Sequence, residues 1–314
     1  MNIRRRVGSS VLSAIALGAA SALALGALPA TASQPLPVPN EAVINATGGA
    51  NPNTSPGGAN VECTPTSAHP YPVVLVHGTL SDMYSSFGAL SPILVNAGYC
   101  VYALNYGQTM QNSQFDGLGE IAASAGQLAT FVNQVLAETG ATKVDIVGWS
   151  QGGMMPRYYI DNLGGASKVN VLTALSPSNH GTTLDGIATL IEDIGLASTV
   201  DAQESTTCEA CVEQVAGSPF LTALNAGGGT EPTVKYVVIE TKDDEVVTPY
   251  TSAFLSGPNV QNIVLQNQCP LDQSDHLSIP YDSNAAQDVL NSLGADHPNF
   301  QPICSVVGPL IGDD

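Results

Sequence analysis

The sequence predicts an α/β domain with a mostly parallel sheet and helices on both faces. Short, continuously apolar runs such as 72–76 and 144–147 are typical of strands buried on both sides. Segments with apolar residues at helical spacing lie between them, and most connections are short. Regular alternation of this kind indicates a doubly wound sheet formed by one domain of about 250 residues.

The predicted elements follow one another along the chain in alternating order. The runs of strand length are 72–76, 100–104, 144–147, 169–175, 234–239 and 263–265. The segments of helical pattern are 85–97, 118–136, a stretch starting near Gln151, and 285–293. Gly140 follows the second of these segments and is a natural helix stop.

One connection is much longer than the others. More than fifty residues separate the strand ending near Leu175 from the strand starting near Val234. They include the apolar run 187–200, which we interpret as a helix. Because long connections in compact domains are usually functional, we expect residues 180–229 to form a lid or pocket insertion.

The first 32 residues have the pattern of an export signal. Arg4, Arg5 and Arg6 precede an apolar run at 11–28, and Ala30-Thr31-Ala32 supplies the small residues at which signal peptidases cut. A retained membrane anchor is the alternative. Residues 33–62 are rich in Pro, Gly and Asn and are expected to form a flexible leader, and residues 63–314 the folded domain.

The composition is strongly acidic. The 314-residue chain has a net charge of −19, and loss of three signal-peptide arginines would bring it to −22. Such a charge disfavours binding to nucleic acid and to anionic membranes, and favours a neutral substrate. Solubility alone is an equally consistent explanation of the charge.

All six cysteines follow the predicted signal, and an even number in an exported chain indicates three disulfides. We expect the pairs Cys63–Cys100, Cys208–Cys211 and Cys269–Cys304, although six cysteines allow fifteen pairings. The Cys-x-x-Cys at 208–211 also fits a redox motif or half a metal site. No second pair at zinc spacing accompanies it, so a structural disulfide is the preferred interpretation.

The motif Gly148-Trp149-Ser150-Gln151-Gly152 lies between an apolar strand and a helical segment. This strand–turn–helix setting is the one in which a sharply turned serine acts as a nucleophile. Small residues two positions before and after Ser150 are required by so tight a turn. The alternative is a glycine-rich turn with an incidental serine.

A nucleophilic serine needs a histidine base and an orienting acid, which in this motif class follow it in the order acid, histidine. The polar turn after the strand at 234–239 supplies the acid. We choose Asp244, with Asp243 second and Glu245 third, because the following valines are expected to hold Asp244 at the turn. His276 is the preferred base, and His297 is the alternative.

The oxyanion formed during acyl transfer needs hydrogen-bond donors. The backbone N–H of Gln151, directly after the serine, is one expected donor. The second is the N–H of Thr79, in the loop after the first strand, and the Thr79 hydroxyl is a further candidate donor. His77 in the same loop is expected to shape the loop and not to act as a base.

The sequence predicts no cofactor and no metal. It contains no cluster at metal-ligand spacing and no glycine-rich phosphate loop after a strand. Asp272, Asp275 and Asp282 near His276 are calcium-type ligands, but acids of this kind more often form a solvated face.

Together these motifs resemble the secreted bacterial class 2 triacylglycerol lipases and, less closely, the fungal lipase-B-type α/β hydrolases. The resemblance covers roughly Cys63 to Cys304. It rests on five stretches: Pro72-Val-Val-Leu-Val-His-Gly-Thr79, Gly148-Trp-Ser-Gln-Gly-Gly153, Ser176-Pro-Ser-Asn-His-Gly-Thr-Thr183, Asp244-Glu-Val-Val-Thr-Pro249, and Cys269-Pro-Leu-Asp272 leading to His276.

The resemblance implies an α/β-hydrolase fold and a secreted lipase. We expect transient contact with lipid interfaces, and a monomer is the default expectation because the sequence leaves the oligomeric state open. The resemblance also implies Ser150, Asp244 and His276 as the triad, Thr79 and Gln151 as oxyanion donors, and bridged first and last cysteine pairs. Trp149 departs from the bacterial pattern, which commonly has His there, and matches the fungal one. Polyester, sterol-ester or cutin-type substrates are the alternatives, and a catalytically silent binding module is the other class considered.

Overall fold

The computed structural model describes residues 34–40, 43–44, 51, 53–109, 115–193, 208–294 and 299–309, without the side chains of 184, 192 and 193. The predicted signal therefore lies outside the described residues. Pro35–Asp314 form one compact unit, to which every element below belongs. Within the described part of the chain, no helix has the length and apolar character needed to cross a membrane.

The described residues form one parallel sheet in the order β2-β1-β3-β4-β5-β6. The strands are β1 Val73–Val76, β2 Val101–Leu104, β3 Val144–Trp149, β4 Val169–Leu175, β5 Lys235–Glu240 and β6 Val260–Val264. The α-helices are α1 Met83–Phe87, α2 Leu90–Asn96, α3 Ile121–Thr139, α4 Gln151–Asn162, α5 Leu184–Asp193, α6 Glu209–Glu213, α7 Pro219–Asn225, α8 Leu265–Gln268 and α9 Ser283–Leu293. The predicted parallel α/β fold is confirmed.

Alternate residues of each strand enter two separate cores. Val74 and Val76 pack in the core covered by α3 and α4, while Val73 and Leu75 pack in the core covered by α1, α2 and α9. Successive strand side chains point to opposite faces of a sheet, so both faces of β1 are buried. This explains why the central strands are continuously apolar in the sequence.

The predicted helix 85–97 is wrong, because the structure has two helices there. Asp82 caps α1 by accepting hydrogen bonds from the N–H groups of Tyr84 and Ser85, and α1 ends at Gly88. Pro92 has no N–H and could not donate to the carbonyl of Gly88, so one continuous helix would be interrupted at this point. Proline is well tolerated in the first turn of a new helix, which is its position in α2.

The last strand also differs from the prediction. The sheet contains Val260–Val264, and Leu265 begins α8 instead of ending the strand. The start of β6 is only partly buried, because it lies at the sheet edge and carries Gln261 and Asn262. An edge strand does not need to be apolar on both faces. The first three residues of β6 therefore lack the continuous apolar pattern from which the other strands were predicted.

The segment expected as a leader contributes to the core. Ile44 is fully buried, and a Cβ at Gly88 would lie 2.8 Å from its side chain. Asn60 extends the edge of the sheet, since its amide pairs with both the N–H and the carbonyl of Ala103 at 2.9 Å. Single residues make these contacts. The segment has few apolar residues overall, so its composition did not indicate that it contributes to the core.

Of the long insertion, the structure describes α5, α6 and α7. The predicted helix over 187–200 overlaps α5, which ends at Asp193, and residues 194–207 lie outside the described residues. The three disulfides join the pairs expected from the sequence, with Cα–Cα separations of 5.6, 5.3 and 5.1 Å. Cys208–Cys211 closes the start of α6, where the Cys208 sulfur accepts from the Cys211 N–H.

Candidate active site

Ser150 occupies a sharp turn between β3 and α4 at the carboxyl end of the sheet. Its φ of 56° and ψ of −123° lie in a region that residues other than glycine rarely adopt. A Cβ at Gly148 would overlap the backbone of Gly152, and a Cβ at Gly152 would overlap the carbonyl oxygen of Val76. Both glycines are therefore required for the turn to form beside β1.

Three side chains from three separate loops form a continuous hydrogen-bonded chain. The Nδ1 of His276 lies 2.8 Å from Oδ2 of Asp244, and its Nε2 lies 3.0 Å from Oγ of Ser150. His276 is fully buried, and Ser150 and Asp244 are nearly so. Such an arrangement could allow His276 to take the proton of Ser150 while Asp244 orients the imidazole.

The backbone after Asp244 determines which acid of the turn faces the histidine. Oδ1 of Asp244 accepts hydrogen bonds from the N–H groups of Val246 at 2.9 Å and Val247 at 2.6 Å. These bonds leave Oδ2 directed at His276. Asp243, the second choice from the sequence, is exposed.

The charges around His276 favour its protonated form. Burial lowers the pKa of His276, but the carboxylates of Asp244, Glu245 and Asp275 outweigh burial and hold that pKa above its usual value. Glu245, the third choice from the sequence, accepts from the His276 backbone N–H at 3.4 Å. Burial raises the pKa of Glu245 to about 7, against the opposing influence of His276.

A second network, made of hydroxyl and amide groups, lies on the other side of Ser150. The Thr79 hydroxyl donates to Oε1 of Gln151 at 2.6 Å and accepts from Nε2 of Gln214 at 2.7 Å. Oε1 of Gln214 in turn accepts from the Ser178 hydroxyl at 2.8 Å. All four side chains are buried, so the two expected oxyanion donors are fixed relative to each other.

The backbone donors of this region are available. The N–H groups of Thr79 and Gln151 have no acceptor among the described residues. The loop that carries Thr79 is anchored by the neighbouring N–H of Leu80, which donates to Asp116 at 3.0 Å. Free N–H groups beside a serine at a helix N-terminus are suited to binding a developing oxyanion.

Trp149 connects the serine turn to the histidine loop. Its indole Nε1 donates to the backbone carbonyl of His276 at 2.9 Å, and the two rings lie 5.5 Å apart. A Cβ at Gly78 would lie 2.9 Å from the same indole, so the loop after β1 also packs on it. The residue that departs from the bacterial pattern thus contacts both loops that flank the nucleophile.

His77 and His180 lie outside this hydrogen-bonded chain. His77 is buried, and its Nδ1 donates to the Gly78 carbonyl at 2.7 Å, where burial lowers the pKa of the ring to about 4. His77 therefore stays neutral and braces its loop. His180 bonds through Nδ1 to the Ser252 carbonyl. His297, the alternative base, lies outside the described residues.

The acids near His276 do not form a solvated face. Asp272, Asp275 and Asp282 are all buried and bond within their own segment. Asp275 accepts from the N–H groups of Leu277 and Ser278, and Asp282 caps α9. Over the described ranges, no three His, Cys, Asp or Glu side chains are grouped as metal ligands.

The sequence reasoning missed two polar residues of the site, Gln214 and Glu240. Gln214 directly follows α6 and reaches Thr79 across 135 positions. Glu240 is the last residue of β5, where its buried carboxyl group is influenced by the charge of Asp244. A polar residue at the end of an otherwise apolar strand was the available signal for Glu240, while nothing local marked Gln214.

A parallel sheet with a serine on a sharp turn after a central strand, followed in sequence by an acid and a histidine, defines the α/β-hydrolase class. The profile of the class 2 lipase family, described as "Lipase (class 2)", matches residues 70–288. The chain belongs to this family.

Curated relatives share parts of the sequence. A triacylglycerol lipase of Burkholderia plantarii is 34% identical over 122 residues, which are 37% of this chain and 32% of the relative. One of Pseudarthrobacter phenanthrenivorans is 38% identical over 93 residues, 28% of this chain and 27% of the relative. Lipase B of Pseudozyma antarctica is 26% identical over 215 residues, 65% of this chain and 56% of the relative. The matched segments thus span between 27% and 56% of these relatives' lengths.

Solved structures share the fold. Lipase B of Aspergillus fumigatus superposes with a TM-score of 0.60 at 21% identity, covering 78% of this chain and 56% of that one. The mature form of a lipase of Bacillus licheniformis superposes with a TM-score of 0.50 at 16% identity, covering 77% of this chain and all of that one.

Proposed function

We propose that this chain is a secreted serine hydrolase that cleaves carboxylic esters, with neutral acylglycerols as its substrate class. The observation that carries the proposal is the continuous hydrogen-bonded chain from Asp244 through His276 to Ser150. Membership of the class 2 lipase family and the names of the matched relatives support the choice of ester over other acyl substrates.

In the first half of the reaction, Oγ of Ser150 attacks the ester carbonyl carbon while Nε2 of His276 removes its proton. Asp244 stabilises the imidazolium that forms and fixes its orientation. The negative charge on the carbonyl oxygen is received by the N–H groups of Thr79 and Gln151, a type of interaction worth about 3–4 kcal/mol per donor. His276 then protonates the leaving alcohol, and the acyl group remains on Ser150.

In the second half, His276 removes a proton from water, which attacks the acyl carbon. The tetrahedral intermediate uses the same donors, and its collapse returns the proton to Ser150 and releases the carboxylic acid. One histidine thus serves as base and acid in alternation, which requires both of its ring nitrogens to be positioned.

The proposed substrate class is supported by the net charge of the chain as well as by its membership of the class 2 lipase family. A net charge of −19 disfavours polyanionic substrates and is compatible with uncharged esters. The insertion with α5, α6 and α7 would line or cover the acyl chain. Three disulfides fit an oxidising, extracellular location.

Covalent labelling with a fluorophosphonate tests the proposal directly. We expect the probe to attach to Ser150, as located by peptide mass mapping, and Ser150→Ala to lower kcat on a chromogenic fatty ester by at least about 10⁴-fold. Ser167→Ala, which removes an exposed hydroxyl, is the matched control and should leave both readouts unchanged. Full activity in Ser150→Ala, or labelling at another residue, would overturn the proposal.

The substrate class needs a separate measurement. Rates on short-chain, long-chain and polymeric esters distinguish an acylglycerol lipase from a polyester, sterol-ester or cutin-type esterase. We expect kcat/KM to be highest for medium- or long-chain acylglycerols. A preference for polymeric substrates would replace the acylglycerol assignment and leave the serine chemistry intact.

A further inference from the structure

Glu240 is a second carboxyl group buried directly behind the proposed triad acid. Its Oε1 accepts hydrogen bonds from the Ser176 hydroxyl and the Thr241 N–H, both at 2.8 Å. Its Oε2 is buried and has no hydrogen-bond partner that could donate to it among the described residues. The side chain has no exposed surface, so bulk solvent does not reach this oxygen.

Asp244 follows Glu240 by four positions along the chain, and its carboxyl group acts on that of Glu240 both through its charge and as a side-chain neighbour. Two adjacent carboxylates in a buried site cannot both be ionised, because their repulsion is not screened there. One proton between them converts the repulsion into a short O–H···O⁻ hydrogen bond.

The distribution of donors favours Glu240 as the carboxyl group that holds the proton. Asp244 accepts three N–H groups, from Val246, Val247 and His276, which together stabilise its anionic form. Glu240 has two donors, both on Oε1. Burial and the charge of Asp244 raise the pKa of Glu240 well above its usual value, consistent with a proton on its unpartnered oxygen.

We propose that Glu240 is a positioning residue that, as a neutral carboxylic acid, donates a hydrogen bond from Oε2 to the Asp244 carboxylate. The role rests on the function proposed above, in which Asp244 orients His276. With this bond, Asp244 is held by the Val246 and Val247 N–H groups on one side and by Glu240 on another. Its remaining contact, through Oδ2, is then directed to His276.

Glutamine fits the proposed role closely. In Glu240→Gln the amide oxygen can accept from Ser176 and Thr241, while the NH₂ group donates to Asp244, without any charge. We expect its kcat and KM to stay within about threefold of the parent chain. In Glu240→Leu the donor is lost, so Asp244 is no longer held in the orientation that positions His276. We expect kcat to fall about 10- to 100-fold. KM should change little, because neither Glu240 nor Asp244 is proposed to contact the substrate.

Infrared difference spectroscopy reads the protonation state without requiring activity. The spectrum of the parent chain minus that of Glu240→Gln at neutral pH should contain the C=O stretch of a neutral carboxylic acid. Glu138→Gln, which removes an exposed carboxyl group on α3, is the matched control and should not remove this band. The His276 Nδ1–H proton resonance provides a second readout, and we expect it to be retained in Glu240→Gln and shifted in Glu240→Leu.

Two results would overturn the role of Glu240. One is a carboxylate band in place of the neutral-acid band, which would make Glu240 an anion. The other is a Glu240→Gln variant as impaired in kcat as Glu240→Leu, which would show that a neutral donor is insufficient. If Glu240→Leu does not fold, the isosteric Glu240→Gln and its spectrum still decide. Absence of ester hydrolysis in the parent chain would instead contradict the proposed function, while the infrared and proton spectra would still test the Glu240–Asp244 bond.

Discussion

The two sides of Ser150 are built from different chemistry. On one side, His276 is surrounded by the carboxyl groups of Asp244, Glu245 and Asp275, which stabilise positive charge on its ring. On the other side, Thr79 lies in a network of hydroxyl and amide groups that carries no formal charge. The proposed reaction creates a cation on the first side and an anion on the second, so each side matches the charge that develops there.

The two sides also hold their side chains in place by different interactions. The histidine side, formed by His276 and the carboxyl groups around it, depends on ionised groups and on a shared proton. Its contribution to kcat should therefore change with pH and with substitutions that remove a charge. The oxyanion side depends on packing and on neutral hydrogen bonds, so only removal of a polar group should disturb it. The following substitutions test that difference, from the largest expected effect to the smallest.

Asp244→Asn should have the largest effect. The amide keeps the shape of the side chain but cannot stabilise the imidazolium, and it favours the wrong histidine tautomer. We expect kcat to fall by about 10⁴-fold, as for the corresponding change in a serine protease triad. Asp243→Asn is the matched control, because Asp243 is the exposed neighbour and should tolerate the change. Similar losses in both variants would contradict the assignment of Asp244.

Thr79→Val should have an intermediate effect. It replaces the hydroxyl by a methyl group and leaves Nε2 of Gln214 and Oε1 of Gln151 without their shared partner. Buried unpaired groups destabilise the fold by about 1–3 kcal/mol each. Thr79 and Gln151 also lose the bond that fixes the proposed oxyanion donors, so we expect kcat to fall about 10- to 100-fold with KM nearly unchanged. Thr222→Val, an exposed change on α7, is the control. The pH dependence of kcat should keep its shape, and a shifted profile would argue against a neutral oxyanion side.

Glu245→Gln should have the smallest effect, visible mainly as a change with pH. The carboxylate of Glu245 helps to raise the pKa of His276. Its removal lowers that pKa, so a larger fraction of His276 is the neutral base at a given acidic pH. We expect the acidic limb of the kcat/KM profile to move to lower pH by on the order of half a pH unit.

The control for this shift is Glu209→Gln, which removes a carboxyl group from the exposed surface of α6. Its profile should coincide with that of the parent chain. A Glu245→Gln profile that moves to higher pH, or does not move, would show that Glu245 does not act on His276 through its charge.

The sequence predicted those parts of the molecule that depend on local constraints. Gly148 and Gly152 mark the serine turn because no side chain fits at either position, and this signal is contained within five residues. The choice of Asp244 over Asp243 follows from the N–H groups of Val246 and Val247, which the turn places around one carboxylate. The central strands were recognised because both of their faces are buried.

The parts that the sequence did not reveal depend on contacts between distant residues. Gln214 and Thr79 are 135 positions apart, and only the folding of the insertion brings them together. The packing of Gly88, between α1 and α2, against Ile44 of the amino-terminal segment also depends on tertiary structure. The predicted strand ended at residue 239, so Glu240 was assigned no role, although its burial and the charge of Asp244 give it an unusual chemical environment.

The indole of Trp149 has a practical consequence for studying the site. It belongs to the sole tryptophan of the chain and is bonded to the backbone of His276. Tryptophan emission from this protein therefore originates entirely within the arrangement that joins nucleophile and base. The molecule carries its own optical reporter, so a stopped-flow trace excited at the indole band would follow displacement of the histidine loop in real time without any added label.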